Sequence, residues 1–193
     1  RPMSRNMRAI SAGSTSSTAL GQVVYKTQPA SKVWVEGTSN KSDWTVNAAE
    51  FSGTFTMNQN VTPADPGVKA AKLTVAAGKM ASGRSTIMDR LMYDALLVEE
   101  HPQITYELIS ATPGAASGNT FTLQTKGRLT LAGATKEIDM AVQGEKLANG
   151  QVRFQGQHEL LQSDYGVKPP SAMFGALRTA DKVTVKFDVV VAP

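Results

Sequence analysis

The stretch from Phe121 to Leu131 constrains this chain more than any other. Phe121, Leu123, Gly127, Leu129 and Leu131 share one parity, diluted only by Thr125. Thr122, Gln124, Lys126, Arg128 and Thr130 share the other. Period-two alternation puts the first set on one face of a strand and the second in water. At about 3.3 Å per residue the strand spans roughly 35 Å, well beyond the usual length. A long strand with one apolar and one wet face belongs in an antiparallel sheet wrapped around a single apolar interior.

The rest of the chain is read by asking whether it extends that wall. Lys32–Thr38 is a strand with Val33, Val35 and Gly37 on one face, and Trp44 begins a second segment. Phe51, Gly53, Phe55 and Met57 alternate with Ser52, Thr54 and Thr56, the pattern of a half-buried strand. Pro63 and Pro66-Gly67 mark a turn before a strand over Lys69–Ala76. Further strands are expected at Ile104–Ser110, Glu137–Val142, Val152–Leu160 and Val183–Val191, with loops over Pro113–Asn119 and Gln162–Arg178. In Ser85–Val98 the period changes: Ile87, Met88, Leu91, Met92, Ala95 and Leu96 recur every three or four residues. That spacing predicts one amphipathic helix, with Ser85 as its N-cap and a stop at His101-Pro102.

The expected architecture is all-β: an elongated, lipocalin-like antiparallel barrel of about eight strands, with one amphipathic α-helix near an end. Residues 1–30 are expected as a flexible N-terminal tail or leader remnant, and residues 31–193 as the barrel. The net charge is +4 and the basic residues are scattered, so no nucleic-acid partner is expected. There is no cysteine, which excludes disulfides and Cys-based metal or catalytic sites. No apolar run approaches the ~18 residues of a membrane-spanning helix.

Four short stretches resemble the YceI-like proteins. Leu129–Lys136 (Leu-Thr-Leu-Ala-Gly-Ala-Thr-Lys) is similar to that family's Leu-Thr-Leu-x-Gly-Val-Thr-Lys turn. Ser163-Asp164-Tyr165-Gly166 resembles its Arg-Ser-Asp-Phe-Gly element, with Gln162 where the family has Arg. His101–Tyr106 is similar to its Pro-x-Ile-x-Phe segment after a Met-rich helix, and Val33–Ser39 followed by Trp44 resembles its opening strand. The resemblance runs from about Ser31 to Val191. It implies a periplasmic or secreted barrel that holds a long isoprenoid or other amphiphilic lipid, of polyprenyl, quinone or fatty-acid type, in an apolar tunnel. The lipid would be a ligand rather than a cofactor, and no metal is implied. Transient membrane contact and a homodimer are further expectations.

Burying a methylene is worth roughly 0.8 kcal/mol against water, but a lipid leaves another apolar phase, so the net gain is small. The tunnel must therefore be dry and adaptable, which suits Met57, Met88, Met92, Met140 and Met173. The wall is assigned to Phe51, Phe55, Leu73, Phe121, Leu123, Leu129, Leu131, Met140, Phe154 and Phe187. The gate is assigned to Met88, Leu91, Met92 and Leu96 of the helix and to Phe174 of the late loop.

Catalysis has little sequence support. His101 reads as a structural residue at a helix end, and His158 as a buried histidine or a contact to a lipid headgroup. No Gly-x-Ser-x-Gly elbow is present. Gly78–Ser85 mimics a phosphate loop but carries Arg84 in the lysine place, without the βα repeats such a loop needs. Non-enzymatic lipid binding, transport or storage is the first reading. The alternatives are a packed barrel that docks a partner and, behind it, a small-molecule hydrolase or isomerase.

Overall fold

The computed structural model describes residues 21–193. Of the segment 1–30 read above as a tail, residues 1–20 lie outside the described residues. The described chain runs β1 (Gln22–Thr27), β2 (Lys32–Ser39), β3 (Asp43–Ala48), β4 (Phe51–Asn58), β5 (Ala70–Ala76), β6 (Met80–Ala81) and α1 (Thr86–Ala95). It continues with β7 (Gln103–Ser117), β8 (Thr120–Leu131), β9 (Ala134–Lys146), β10 (Val152–Leu161), β11 (Ser171–Ala172) and β12 (Leu177–Ala192). No described helix is long and apolar enough to cross a membrane.

The pairing order β1-β4-β5-β7-β8-β9-β10-β12 returns to β1 and closes an eight-stranded antiparallel barrel. β1 meets β12 at Lys26↔Ala192 and Thr27↔Val191, while β2 pairs with β12 over Thr179–Asp188. β1 and β2 thus lie end to end along one edge of β12, joined at a bend. Ser31 fixes that bend: its Oγ accepts from Val190 N at 2.9 Å and donates to Val190 O at 3.1 Å. β1 is a correction, because Gln22–Thr27 falls inside the segment expected as a tail. Val23-Val24-Tyr25 breaks the apolar–polar alternation by which strands are recognised.

Beyond the bend the sheet forks. β4 leads on to β5 and β7, whereas β3 leads only to the two-residue β6. α1 spans the fork between β6 and β7. Ser85 caps it by accepting from Met88 N at 3.2 Å, as its sequence position indicates. The helix stops at Ala95, earlier than the apolar spacing suggests, and Leu97 turns to a positive φ of 53°.

β7 also departs from expectation, since Pro113–Asn119 is mostly strand rather than loop. β7 runs to Ser117, with irregular register around Ile109 and between Pro113 and Ala116. β5 pairs with β7 only over Gln103–Glu107, so Pro113 lies where that edge is free. A strand tolerates proline there because no ladder donor is lost. β8 and β9 join through Ala132-Gly133, both at positive φ (49° and 79°), the two-residue loop that suits strand twist. A Cβ on Gly133 would come within 2.7 Å of His101 Nε2, so the imidazole packs on this turn.

Candidate functional site

Burial along the inward face of β12 locates the site. At one end Val191 and Val189 are 0 % and 1 % exposed. Phe187 and Val185, of the same parity, are only half-buried, and Val183 is buried again. β10 repeats the pattern: Val152 and Phe154 are buried, Gly156 and His158 are half-buried, and Leu160 is buried. Inward residues in mid-strand are exposed because they face a space rather than one another. That space is a cavity of about 370 Å³, within the range typical of small-molecule sites.

The interior is therefore packed at one end and hollow beyond it. Tyr25, Met57, Phe121, Val152, Phe154, Val189 and Val191 form the packed floor. Phe55 stacks on Phe154 with ring centroids 5.3 Å apart, and Phe121 meets Phe154 edge-on at 6.0 Å. The Tyr25 hydroxyl donates to Asn58 O at 3.0 Å, so this end carries no unpaired phenol. Toward the other end Leu129, Leu131, Ile138, Leu160, Tyr165, Val167 and Val183 form a second cluster. The cavity runs between the clusters and opens where Ser42, Arg84, Asp89, Pro170 and Leu177 line it.

Glycines keep the bore open. An added Cβ on Gly37 would lie 2.1 Å from the Trp44 ring, and one on Gly127 2.3 Å from Tyr106. Gly156 stands 2.5 Å from Phe187 on the same measure, and Gly144 2.2 Å from Phe121. Each ring thus lies flat on the wall over a glycine of a neighbouring strand; Gly37↔Trp44, Gly156↔Phe187 and Gly144↔Phe121 are direct cross-strand pairs. With side chains in place of these hydrogens the Trp44, Tyr106 and Phe187 rings would have to stand into the cavity they line.

Of the residues assigned to the tunnel, Phe55, Leu73, Leu123, Leu129, Leu131, Met140, Phe154 and Phe187 line the cavity. So do Met88, Met92 and Leu96 from α1. Phe121 has the right parity but lies in the packed floor, 2 % exposed. Phe51 packs against the same cluster, and Leu91 lies on α1 off the cavity wall, because parity and helical spacing fix a direction and not a depth. Met57 is likewise in the floor, with no exposed surface. Phe174 is fully exposed on a turn that points it into solvent, and it does not line the cavity. Val35, Trp44, Ile104, Tyr106 and Val185 also line the cavity. They share the inward parity of their strands, which was the available signal.

Few polar groups face the bore. Thr125 is buried and its Oγ1 donates to Met140 O at 2.8 Å, so it is satisfied by its own wall. The Tyr106 hydroxyl is buried without a hydrogen-bond partner among the described residues. His158 lines the cavity in mid-bore, and burial pushes its imidazole pKa below the ordinary value, which favours the neutral ring. Among the described residues, no three His, Cys, Asp or Glu side chains converge on a metal-sized site. At the rim, the Gln162 amide donates to Ala180 O at 3.0 Å and Ser163 N donates to Asp181 Oδ1 at 2.8 Å. Gly166 follows at φ 70° and Tyr165 is buried beneath, so this element locks a barrel corner.

A closed eight-stranded antiparallel barrel, packed at one end and holding an apolar cavity beyond that floor, defines a lipocalin-like architecture. The YceI-like domain family matches residues 25–191, and the chain belongs to that family. Burkholderia cenocepacia BcnA is 19% identical with a TM-score of 0.67, over 84% of this chain and 96% of that one. A polyisoprenoid binding domain from Saccharophagus degradans is 16% identical with a TM-score of 0.67, over 88% and 98%. A Campylobacter jejuni YCEI protein is 16% identical with a TM-score of 0.58, over 75% and 82%. No curated protein sequence matches.

Proposed function

We propose that this protein binds a long isoprenoid or similar amphiphilic lipid in the barrel cavity and carries or stores it unchanged. The observation that supports this most directly is the cavity itself, of about 370 Å³, whose surface is mostly apolar and comes chiefly from aliphatic, aromatic and methionine side chains. Met88, Met92 and Met140 give it side chains that adapt to a flexible chain. The Saccharophagus degradans neighbour, described as a polyisoprenoid binding domain, supports an isoprenoid over other lipids. His158 supplies a neutral hydrogen-bonding group for a ligand oxygen in an otherwise apolar bore. A periplasmic or secreted setting fits a family whose members are usually exported.

The test is organic extraction of natively purified protein followed by mass spectrometry. A single lipid class near one equivalent per chain is expected. An empty extract, together with no uptake of geranylgeraniol from a detergent dispersion, rejects the reading in favour of a partner-docking barrel.

A further inference from the structure

Two apolar points flank the cavity mouth. The first is the tip of the β11–β12 hairpin, where Met173 is 72% exposed and Phe174 wholly exposed. Both hold left-handed backbone, each at φ 55°, and Gly175 follows at φ 85°. Left-handed geometry is costly for large side chains, so this turn spends stability to aim two apolar groups outward. The second is Ile87, 69% exposed on the first turn of α1. The cavity lining joins them, with Arg84, Ser85 and Met88 from one side and Pro170 and Leu177 from the other.

The hairpin tip is held firmly. Ser171 pairs with Arg178 and Ala172 with Leu177. Thr179 N and Oγ1 both donate to Pro170 O, at 3.2 and 2.8 Å. Asn40, from the turn between β2 and β3, donates through Nδ2 to Ala176 O and accepts from Arg178 N, each at 2.8 Å. A tip braced from two sides presents its apolar groups at little further entropic cost.

We propose that this rim docks on the surface of a lipid bilayer, with Met173 and Phe174 inserted among the acyl chains and the cavity mouth facing the membrane. The proposal rests on the lipid-binding reading, for it supplies the route by which the cavity fills. The segments 84–90 and 168–178 carry Arg84, Arg90, Lys168 and Arg178 against the single carboxylate Asp89, which accepts from Ser82 N at 3.1 Å. Cations beside an apolar tip suit the phosphate level of a bilayer. Asp43, Asp164 and Asp181 lie on adjoining segments, so insertion rather than charge is the main contribution. Two protruding side chains fall well short of the roughly 800 Å² per partner of a stable protein interface, which argues against a second copy on this tip.

The experiment compares the full chain with a Met173→Asn/Phe174→Asn double variant and with Val24→Ser. Asparagine accepts left-handed backbone, so the double variant keeps the turn. Val24 is 52% exposed on β1 and outside the cavity lining, and it controls for lost surface apolarity. Binding is read by co-sedimentation with phosphatidylethanolamine/phosphatidylglycerol vesicles and with phosphatidylcholine vesicles. Geranylgeraniol uptake is timed from the same vesicles and from a detergent dispersion. The double variant should lose at least about tenfold in vesicle partition and uptake rate, keep full capacity from detergent, and leave Val24→Ser like the parent. Parental partition and uptake in the double variant overturn the docking proposal while leaving lipid binding intact. A parent that is dimeric by light scattering and becomes monomeric in the double variant also overturns it, in favour of self-association. Failure of every form to take up the probe from detergent rejects the underlying lipid-binding reading instead.

Discussion

Substituting Gly156 by alanine separates a hollow barrel from a packed one. The new Cβ would stand 2.5 Å from Phe187 Cζ and 2.8 Å from Cε1. Ordinary carbon contacts begin near 3.5 Å, so the ring must retreat by about 1 Å. The space available to it is the cavity, which Phe187 already lines. Overpacking a closed core costs about 1–3 kcal/mol, and replacing glycine inside a strand returns about 0.5–1 kcal/mol. With a cavity to receive the ring, the net loss should stay below about 2 kcal/mol, a melting shift of no more than about 8 °C for a chain of this size. The bore narrows by about the distance the ring moves, so lipid recovered by extraction should fall severalfold. Chemical denaturation and extraction of the same preparation give both numbers. Full lipid occupancy together with a loss above about 3 kcal/mol would refute the reasoning, because it would mean that the ring has nowhere to go.

Other changes test the remaining assignments. Leu129→Trp places a larger group on the cavity wall and should abolish lipid retention in a folded barrel, as read by extraction and circular dichroism. Tyr165 is 3% exposed and its hydroxyl has no partner among the described residues, so Tyr165→Phe should raise stability by about 1 kcal/mol in urea titration. The lowered pKa of His158 means that the unfolded chain takes up that proton first. Above the ordinary value of 6.5 both states are neutral and the residue makes no difference; as pH falls from 6.5 toward the folded value, stability declines. His158→Gln should flatten that decline in melts between pH 7 and 5, a window distinct from the acid limb set by Asp188. The Arg153 guanidinium, which donates to Asp188 at 2.8 Å, holds that carboxyl below its ordinary value, so its contribution is lost only at lower pH.

Strand directions were legible because alternation reports which way a side chain points. Phe55, Leu129 and Phe187 reach the cavity for that reason. Depth was not legible, because Phe121 shares its strand's inward parity with Leu129, yet one meets a floor and the other a void. The void depends on pairs such as Gly37 with Trp44, whose juxtaposition exists only once β2 and β3 are in register. β1 was hidden by Val23-Val24-Tyr25, apolar on both parities, and the end of β7 by a proline that an unpaired edge accommodates. The outward Phe174 was hidden because an aromatic in a loop is ordinarily buried, and only the left-handed turn reverses that.

The way β12 is shared has a consequence for how this molecule comes into being. It is the last strand of the described chain, and it binds β10 on one side and both β2 and β1 on the other. No chain lacking it can seal the wall, so the greasy lining stays open to water until Leu177–Ala192 has joined both neighbours. A chain cut before Leu177 therefore remains an unsealed sheet with its greasy lining in water.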